Sequence, residues 1–220
     1  MTLRRVVLLR HGRTAWNAQR RFQGQADPPL DEVGRGQAYE VSGLIAAMRP
    51  ELLVSSDSAR AFQTAEIVGD PCGLAPVAEP RLRERGLGHW EGLTREEVAE
   101  RYPDEYADWL AGRDVTRRGG ESRVQVATRA LDAFTQLEPV PTAVLVTHSA
   151  TAMALTNALL GIDQAAHPLG PLANCHWTEL YCEDGSGEWR LRGHNLGVPG
   201  TVLPLPVRLA TDEDAPDADA

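Results

Sequence analysis

The chain has 220 residues, of which 42% are apolar and 24% are charged, an ordinary composition for a soluble globular protein with a buried core. Its formal net charge is −9, and five of the acidic residues lie in segment 210–220, which has no basic residue, so nothing favours a nucleic-acid partner. No apolar stretch is long enough to span a membrane, and the run after Arg4 and Arg5 is too short for the core of a signal peptide.

The number and spacing of the cysteines and the absence of lysine limit the kinds of catalytic and binding sites that the chain can form. The three cysteines Cys72, Cys175 and Cys182 are an odd set without zinc-site spacing, so we expect packed thiols, no metal and a cytoplasmic location. All 22 basic residues are arginines. The absence of lysine excludes a Walker-type phosphate loop and a lysine Schiff base, so any bound phosphate must be held by arginine.

The first element is an apolar run at 6–9 that ends in Arg10-His11-Gly12. Four consecutive apolar residues predict a strand buried on both faces, as in a parallel sheet covered by helices. The carboxyl ends of such strands are where open α/β sheets place their sites. Taken alone, the pair Arg10 and His11 favours the simpler interpretation of solvated loop residues, because arginine and histidine are common in loops.

The second strand–helix unit follows the same pattern. Apolar residues at helical spacing predict an amphipathic helix over 32–48, capped by Asp31, and the run 52–54 predicts a strand that ends in Ser55-Ser56-Asp57. A second helix follows, with Phe62, Ala65 and Val68 on its apolar face. Arg60 lies in its first turn, where a cation opposes the helix dipole unless an anion compensates, although a solvated arginine is the plain alternative.

The middle of the chain is dominated by turns. We expect an edge strand at 75–79, a glycine-rich loop at 81–92 in which Glu84 forms a surface ion pair, and short helices after Thr94 and at 106–110. Residues 117–122 predict a flexible basic turn. The next helix is expected to place Val124, Ala127, Leu131, Phe134 and Leu137 on one face.

The third apolar run, 143–146, ends in Thr147-His148 and precedes a buried helix over 150–160. Two antiparallel strands at 176–182 and 188–194 flank a turn at 184–187. One α/β domain over 1–209 and a disordered acidic tail over 210–220 are expected. If the three buried strands are parallel neighbours, two histidines and two arginines converge in one crevice, which suits an anion site with a nucleophile.

Several ordered motifs make the chain resemble the histidine phosphatase superfamily, also called phosphoglycerate mutase-like. They are Arg10-His11-Gly12-Arg13-Thr14, Gln23-Gly24-Gln25, Ser55-Ser56-Asp57 with Arg60, Leu82-Arg83-Glu84, Trp90-Glu91-Gly92 and Thr147-His148. Within the family, other segments are most similar to an actinobacterial branch that acts on glucosyl-3-phosphoglycerate. The resemblance covers nearly the whole chain and implies a three-layer α/β/α sandwich with a mostly parallel central sheet.

The resemblance also implies a role for each matching residue. His11 is the nucleophile that becomes phosphorylated, Arg10, Arg60 and His148 hold the phosphoryl oxygens, and Glu84 is the general acid. Asn17 and Gln23 match positions that line the phosphate pocket. Ser149 departs from the pattern, because the family usually has glycine after the second histidine.

The implied function is metal-independent hydrolysis of a small phosphorylated metabolite without a cofactor, and a homodimer is the candidate assembly. Glucosyl-3-phosphoglycerate and a broad range of phosphomonoesters are both candidate substrates. A cofactor-dependent phosphoglycerate mutase is the alternative, although such mutases usually have Glu-Arg-His-Tyr-Gly where this chain has Glu84-Arg85-Gly86-Leu87-Gly88. A phosphate-binding relative without activity is the third possibility, but it would be expected to lack His11 or Glu84.

Overall fold

A central sheet of six strands organises the molecule, in the order β3-β2-β4-β1-β5-β6. The computed structural model describes residues 3–166, 168–183 and 187–198. The strands are β1 (Arg5–Arg10), β2 (Leu52–Ser55), β3 (Val77–Ala78), β4 (Thr142–Thr147), β5 (Trp177–Tyr181) and β6 (Arg190–Leu196). Strands β1 to β4 pair in parallel, and β5 and β6 are antiparallel. The prediction of a mostly parallel sheet is therefore confirmed.

Helices cover both faces of this sheet. They are α1 (Ala15–Ala18), α2 (Glu32–Ala47), α3 (Ala59–Gly69), α4 (Arg95–Arg101), α5 (Pro103–Leu110), α6 (Arg123–Thr135) and α7 (Ser149–Leu159). In β1, Val7 and Leu9 pack with α2 and α3, whereas Val6 and Leu8 pack with α6 and α7. Alternate residues of one strand thus enter two separate cores, each fully buried aliphatic side chain contributing about 1.5–3 kcal/mol, and the three-layer sandwich is confirmed.

Most predicted elements lie where the pattern placed them. Asp31 caps α2 by accepting a hydrogen bond from the Gly34 N–H, and Thr94 begins α4 with a capping box. The edge strand β3 has only two residues, and α5 begins at Pro103, three residues before the predicted start. Pro103 suits the first turn of a helix, because that position needs no N–H donor.

The predicted apolar face of α6 is wrong in part. Val124 is 61% exposed, and Val126, Ala130 and Ala133 are buried although they were not predicted. Ala127 and Phe134 are buried as predicted, and Leu131 and Leu137 pack partly buried against the core. Small alanines allow α6 to pack closely on α7 and the sheet, and this tertiary contact rather than residue size decides which face is buried.

A smaller hydrophobic core is formed mainly by the segment that follows β3 and precedes α6 in the chain. Trp90, Val98 and Val115 are buried there, with Phe22 and Trp109 packed against them. This segment, residues 80–122, contains α4, α5 and three short 3₁₀ turns. The predicted tail, the domain boundary at 209 and residues 184–186 of the predicted turn lie outside the described residues.

Candidate active site

Three parallel strands end together and bring their following loops to one cavity. β1 and β4 pair in register so that Arg10 lies opposite Thr147, and Ser55 at the end of β2 lies opposite Val146. The cavity has a volume of about 340 Å³. Among the predicted site residues, its wall contains Arg10, His11, Asn17, Gln23, Arg60 and Glu84. Arg10, His11 and Arg60 therefore lie together at this edge of the sheet, whereas His148 is not part of the cavity wall.

Glycines allow the turn after β1 to approach α2 closely. A Cβ at Gly12 would collide with the carbonyl group of Gly34, and a Cβ at Gly34 would collide with the backbone of Arg13. Gly12 N–H also donates to Thr64 Oγ1 at 3.0 Å. The turn that positions His11 is therefore fixed by backbone packing on two helices.

His11 is buried, with 3% of its surface exposed, and its Nδ1 lies 2.7 Å from the carbonyl oxygen of Gly12. A carbonyl oxygen only accepts, so Nδ1 bears a proton. Burial lowers the pKa of His11 well below its usual value, and the charges of Arg10 and Arg60 lower it further. The neutral ring therefore has its lone pair on Nε2, the state that an imidazole nucleophile needs.

Arg10 and Arg60 provide two buried guanidinium groups beside His11. Arg60 is fully buried, and it donates to the carbonyl oxygens of Ala26 at 2.7 Å and Gly24 at 2.8 Å. Arg10 Nη1 donates to the carbonyl oxygen of Leu172 at 2.5 Å. The Nε atoms of both arginines are buried and have no partner in the part of the chain that the structure describes. The alternative of a solvated Arg60 is thus wrong. Backbone carbonyl groups hold the guanidinium groups of Arg10 and Arg60 in place, and their positive charge can stabilise a bound anion.

The N-terminus of α3 is capped from a distant loop. The Ser58 side chain makes no capping bond, and Asp57 instead pairs with Arg83. Asp27 Oδ1 accepts from the Ala59 N–H at 2.7 Å and lies 3.9 Å from Arg60 Nη1. One carboxylate therefore offsets both the helix dipole and the first-turn cation that opposes it.

His148 lies behind the cavity rather than in its wall. It is fully buried, its ring centroid is 5.0 Å from that of His11, and its Nε2 lies 3.0 Å from Ser56 Oγ. Its Nδ1 has no partner, and burial lowers its pKa well below the usual value, as do the nearby Arg60 and His11. Among the described residues, this Nδ1 is therefore a buried polar atom without a hydrogen bond.

Asn17 and Gln23 present amide groups to the same cavity. Thr14 donates to the amide oxygen of each residue, at 3.1 Å in both cases. With the oxygen ends held by protein donors, the NH₂ ends are left as donors for a ligand. Both residues therefore suit the binding of phosphoryl oxygens.

Glu84 lies at the N-terminus of α7. Its carboxylate accepts from the N–H groups of Arg85 at 2.8 Å and of Ala150 and Thr151 at 3.2 Å. Its two arginine neighbours pair with Asp57 and Asp114, so the expected surface ion pair is wrong. The backbone donors instead fix the carboxylate in the cavity wall.

Arg129 holds the loop that contains Glu84 in place, a role that no local sequence pattern indicated. Its guanidinium donates to the carbonyl oxygens of Arg81, Arg83 and Glu84 at 2.6, 2.7 and 3.0 Å, and it pairs with Glu121. Glu121 in turn accepts from the Gly86 N–H at 2.8 Å. This partly buried network spans residues 81–129, and local patterns did not reveal it because its members are far apart in the chain.

Two further residues differ from expectation. Arg118 is 1% exposed and lines the cavity, so the interpretation of 117–122 as a flexible basic turn is wrong for this residue. Ser149 Oγ accepts from the Leu172 N–H at 3.1 Å, and the Leu172 carbonyl oxygen accepts from Arg10. Serine after His148 therefore supports the loop that holds Arg10.

No cluster of histidine, cysteine and carboxylate side chains among the described residues could hold a metal ion. Within the same residues, no helix is long and apolar enough to cross a membrane. The cations of the site are arginines, which can stabilise a phosphoryl group electrostatically. A neutral imidazole, two guanidinium groups and a carboxylate in one cavity can support attack on phosphorus and proton transfer to a leaving oxygen.

The two buried histidines predict a pH dependence of stability. Their folded-state pKa values lie well below that of an unfolded chain, about 6.5, so the unfolded state alone takes up these protons as the pH falls. We expect the free energy of unfolding, measured with urea in phosphate-free buffer, to decline below pH 6.5 by up to about 1.4 kcal/mol per pH unit per histidine. The double variant His11→Asn/His148→Asn should flatten this decline, whereas the exposed His89→Asn should retain it; equal slopes in all three proteins would contradict the prediction.

Known proteins share both the sequence pattern and the fold. The model of the histidine phosphatase superfamily (branch 1) matches residues 6–196. The chain is 39% identical to glucosyl-3-phosphoglycerate phosphatase of Mycobacterium tuberculosis over 86% of this chain and 88% of that protein. It is 38% identical to the probable phosphoglycerate mutase GpmB of Yersinia pestis, over 77% of this chain and 81% of that protein.

A solved structure gives the same result. The mycobacterial glucosyl-3-phosphoglycerate phosphatase complexed with VO3 superposes with a TM-score of 0.80 at 39% identity, covering 87% of this chain and 99% of that one. The expected phosphoglycerate mutase-like fold, with its mostly parallel central sheet, is thus confirmed.

Proposed function

This chain belongs to the histidine phosphatase superfamily (branch 1), and from that membership we propose that it hydrolyses the phosphomonoester of a small phosphorylated metabolite, with glucosyl-3-phosphoglycerate as the first candidate. The observation that supports this best is His11, neutral, protonated on Nδ1 and placed in a cavity wall with Arg10 and Arg60. Vanadate is bound by the mycobacterial relative, and an oxyanion of that kind suits the same group of side chains here.

The proposed reaction is a double displacement at phosphorus. His11 Nε2 attacks in line, a P–N bond forms as the P–O bond to the leaving group breaks, and Glu84 gives its proton to the leaving oxygen. Glu84 then takes a proton from water, whose oxygen attacks phosphorus, breaks the P–N bond and releases inorganic phosphate. Arg10, Arg60 and the NH₂ groups of Asn17 and Gln23 bind the phosphoryl oxygens, and His148 adds a donor once the bound dianion favours its protonation.

A second cavity supports a substrate larger than a bare phosphoglycerate. It has a volume of about 210 Å³ and shares Arg85, Ala150 and Met153 with the wall of the cavity that contains His11. Asn157 and Gln164 line it and offer amide groups. Such polar groups suit the hydroxyls of a sugar joined to the phosphorylated acid.

Phosphatase and mutase differ in where the phosphoryl group of phosphohistidine goes. A mutase must keep water out so that the group returns to a hydroxyl of the same acid. We expect 3-phosphoglycerate and its glucosylated form to yield inorganic phosphate, with the glucosylated form preferred, as followed by phosphorus NMR. Accumulation of 2-phosphoglycerate with little free phosphate would contradict the phosphatase and support the mutase.

The same assay tests metal independence. Protein treated with EDTA and then desalted should retain its activity, because arginines rather than a metal neutralise the phosphate. Loss of activity that only a divalent ion restores would overturn this part of the proposal. The cytoplasmic location and the homodimer also stay proposals, the second testable by sedimentation.

A further inference from the structure

Arg118 occupies a place in the cavity that the proposed reaction does not use. It ends the 3₁₀ turn Thr116–Arg118, and its backbone carbonyl lies so close to Gly88 that a Cβ there would collide with it. Its side chain is 1% exposed and lies in the cavity wall with His11 and Glu84. The close packing of the backbone holds this guanidinium at the cavity.

The Arg118 guanidinium has no acceptor among the described residues. Its Nε and Nη2 are both buried and unpaired, and its Cζ lies 5.2 Å from the centre of the Trp90 ring. Burial and the nearby Arg85 lower its pKa to about 10, so the group is still protonated at neutral pH. A buried cation with unpaired donors is costly unless an anion accompanies it.

The carboxylates near Arg118 are already bound to other groups. Asp114 pairs with Arg85 and accepts from the Arg123 N–H at 2.9 Å. Glu105 accepts from Trp90 Nε1 at 2.8 Å and lies 3.0 Å from His89 Nε2. Both carboxylates lie near enough to stabilise the charge of Arg118, but their hydrogen bonds go to other groups.

Other arginines of the segment 80–122 do form ion pairs with carboxylates. Arg117, next in the chain, pairs with Asp108 at 2.6 Å, and Arg113 pairs with the same carboxylate. Arg85 also donates to the carbonyl oxygen of Glu121 at 2.8 Å. In the part of the cavity wall that the structure describes, Arg10 and Arg118 are the arginines without an ion-pair partner, and the proposed reaction assigns Arg10 to the phosphoryl group.

We propose that Arg118 binds the carboxylate of the substrate and thereby selects phosphorylated hydroxy acids over other phosphomonoesters. The inference rests on the proposed phosphatase function and adds a substrate class to it. A single guanidinium over an aromatic ring matches the single charge of a carboxylate, whereas the dianionic phosphoryl group has Arg10 and Arg60 together. A carboxylate can accept two parallel hydrogen bonds from one guanidinium, so it satisfies donors that the protein leaves unpaired.

Two substrates that differ only at this group test the proposal. 3-Phosphoglycerate has a carboxylate where glycerol 3-phosphate has a hydroxymethyl group, and the phosphorylated end is the same. Wild-type protein should show a higher kcat/KM for the acid. Arg118→Met should reduce kcat/KM for 3-phosphoglycerate about 10- to 100-fold, mainly through KM, and by much less for glycerol 3-phosphate, as expected for one charged hydrogen-bonding group. Arg118→Lys should recover part of the preference.

Arg117→Met is the matched control, since it removes an adjacent but exposed arginine. It should retain the wild-type preference, and circular dichroism should show that both methionine variants fold. Equal losses on the two substrates in Arg118→Met, or no preference in the wild type, would overturn the carboxylate assignment while the phosphatase function stands. Failure of wild-type protein to release phosphate from either substrate would instead overturn the function on which it rests.

Discussion

Replacing His11 with alanine is expected to reduce turnover about 10,000-fold or more, the largest effect of any substitution in this chain. The imidazole is proposed as the group that bonds to phosphorus, and the neighbouring arginines cannot replace a nucleophile. The His11 ring is neutral, and its Nδ1 contacts the carbonyl oxygen of Gly12. Among the described contacts, none gives Nε2 a role other than attack on phosphorus. Rapid-quench experiments with phosphorus-labelled substrate should trap an adduct on wild-type His11 that is labile in acid and stable in base.

The exposed His89 provides a control for the same substitution. His89→Ala should retain both turnover and the labelled adduct. Near-normal turnover in His11→Ala, or label on another residue, would contradict the proposed chemistry. Vanadate binding to His11→Ala, followed by calorimetry, should persist in weakened form because Arg10 and Arg60 remain.

Glu84→Gln is expected to reduce kcat for alkyl phosphates by about 100- to 10,000-fold, the range of general acid–base catalysis. Glutamine keeps the size of the side chain but cannot give a proton to the leaving oxygen. The p-nitrophenolate ion leaves without such help, so the first step with p-nitrophenyl phosphate should be much less affected. The second step, in which Glu84 activates water, should still be slow, so stopped-flow absorbance should show a burst of p-nitrophenolate.

Thr151→Val separates this role from a structural one, because it removes a hydroxyl that lies 3.3 Å from the Glu84 carboxylate and also donates to the Arg83 carbonyl. We expect it to slow alkyl and aryl phosphates similarly and to give no burst. Equal losses on both substrate types in Glu84→Gln, without a burst, would mean that Glu84 holds the structure and transfers no proton.

The cationic side chains in the described part of the cavity wall are arginines, where other phosphate sites use lysine or a metal ion. Arg60 shows the cost of this arrangement, because it lies in the first turn of α3, where the helix dipole opposes it, and it is fully buried. Asp27, two backbone carbonyls and the proposed phosphoryl ligand offset that cost. A cation in an unfavourable position is thus a useful signal of a missing anion, and Arg118 presents the same signal without a local partner.

Local chemistry was enough to predict the elements and the position of the site. The apolar run that ends in Arg10-His11, repeated in the strands before Ser55 and Thr147, predicted parallel neighbours whose ends meet, since side-chain periodicity and strand burial depend on residues close in sequence. The ordered motifs then predicted the family and the residues of the phosphate pocket. The buried face of α6 was the clearest local failure, because packing on α7 outweighed the size of Val124.

Tertiary structure alone decided the state of each charged group. Glu84 is held by N–H groups of α7, 66 and 67 positions away. Arg60 lies beside Asp27 from another loop, and Arg118 is buried where its backbone packs against Gly88. Burial and hydrogen bonding of a charge depend on which distant segments the sheet brings together, and sequence neighbours do not report this. The sequence determined which chemical groups the site has, whereas the fold determined which of them are paired with the protein and which remain for a ligand.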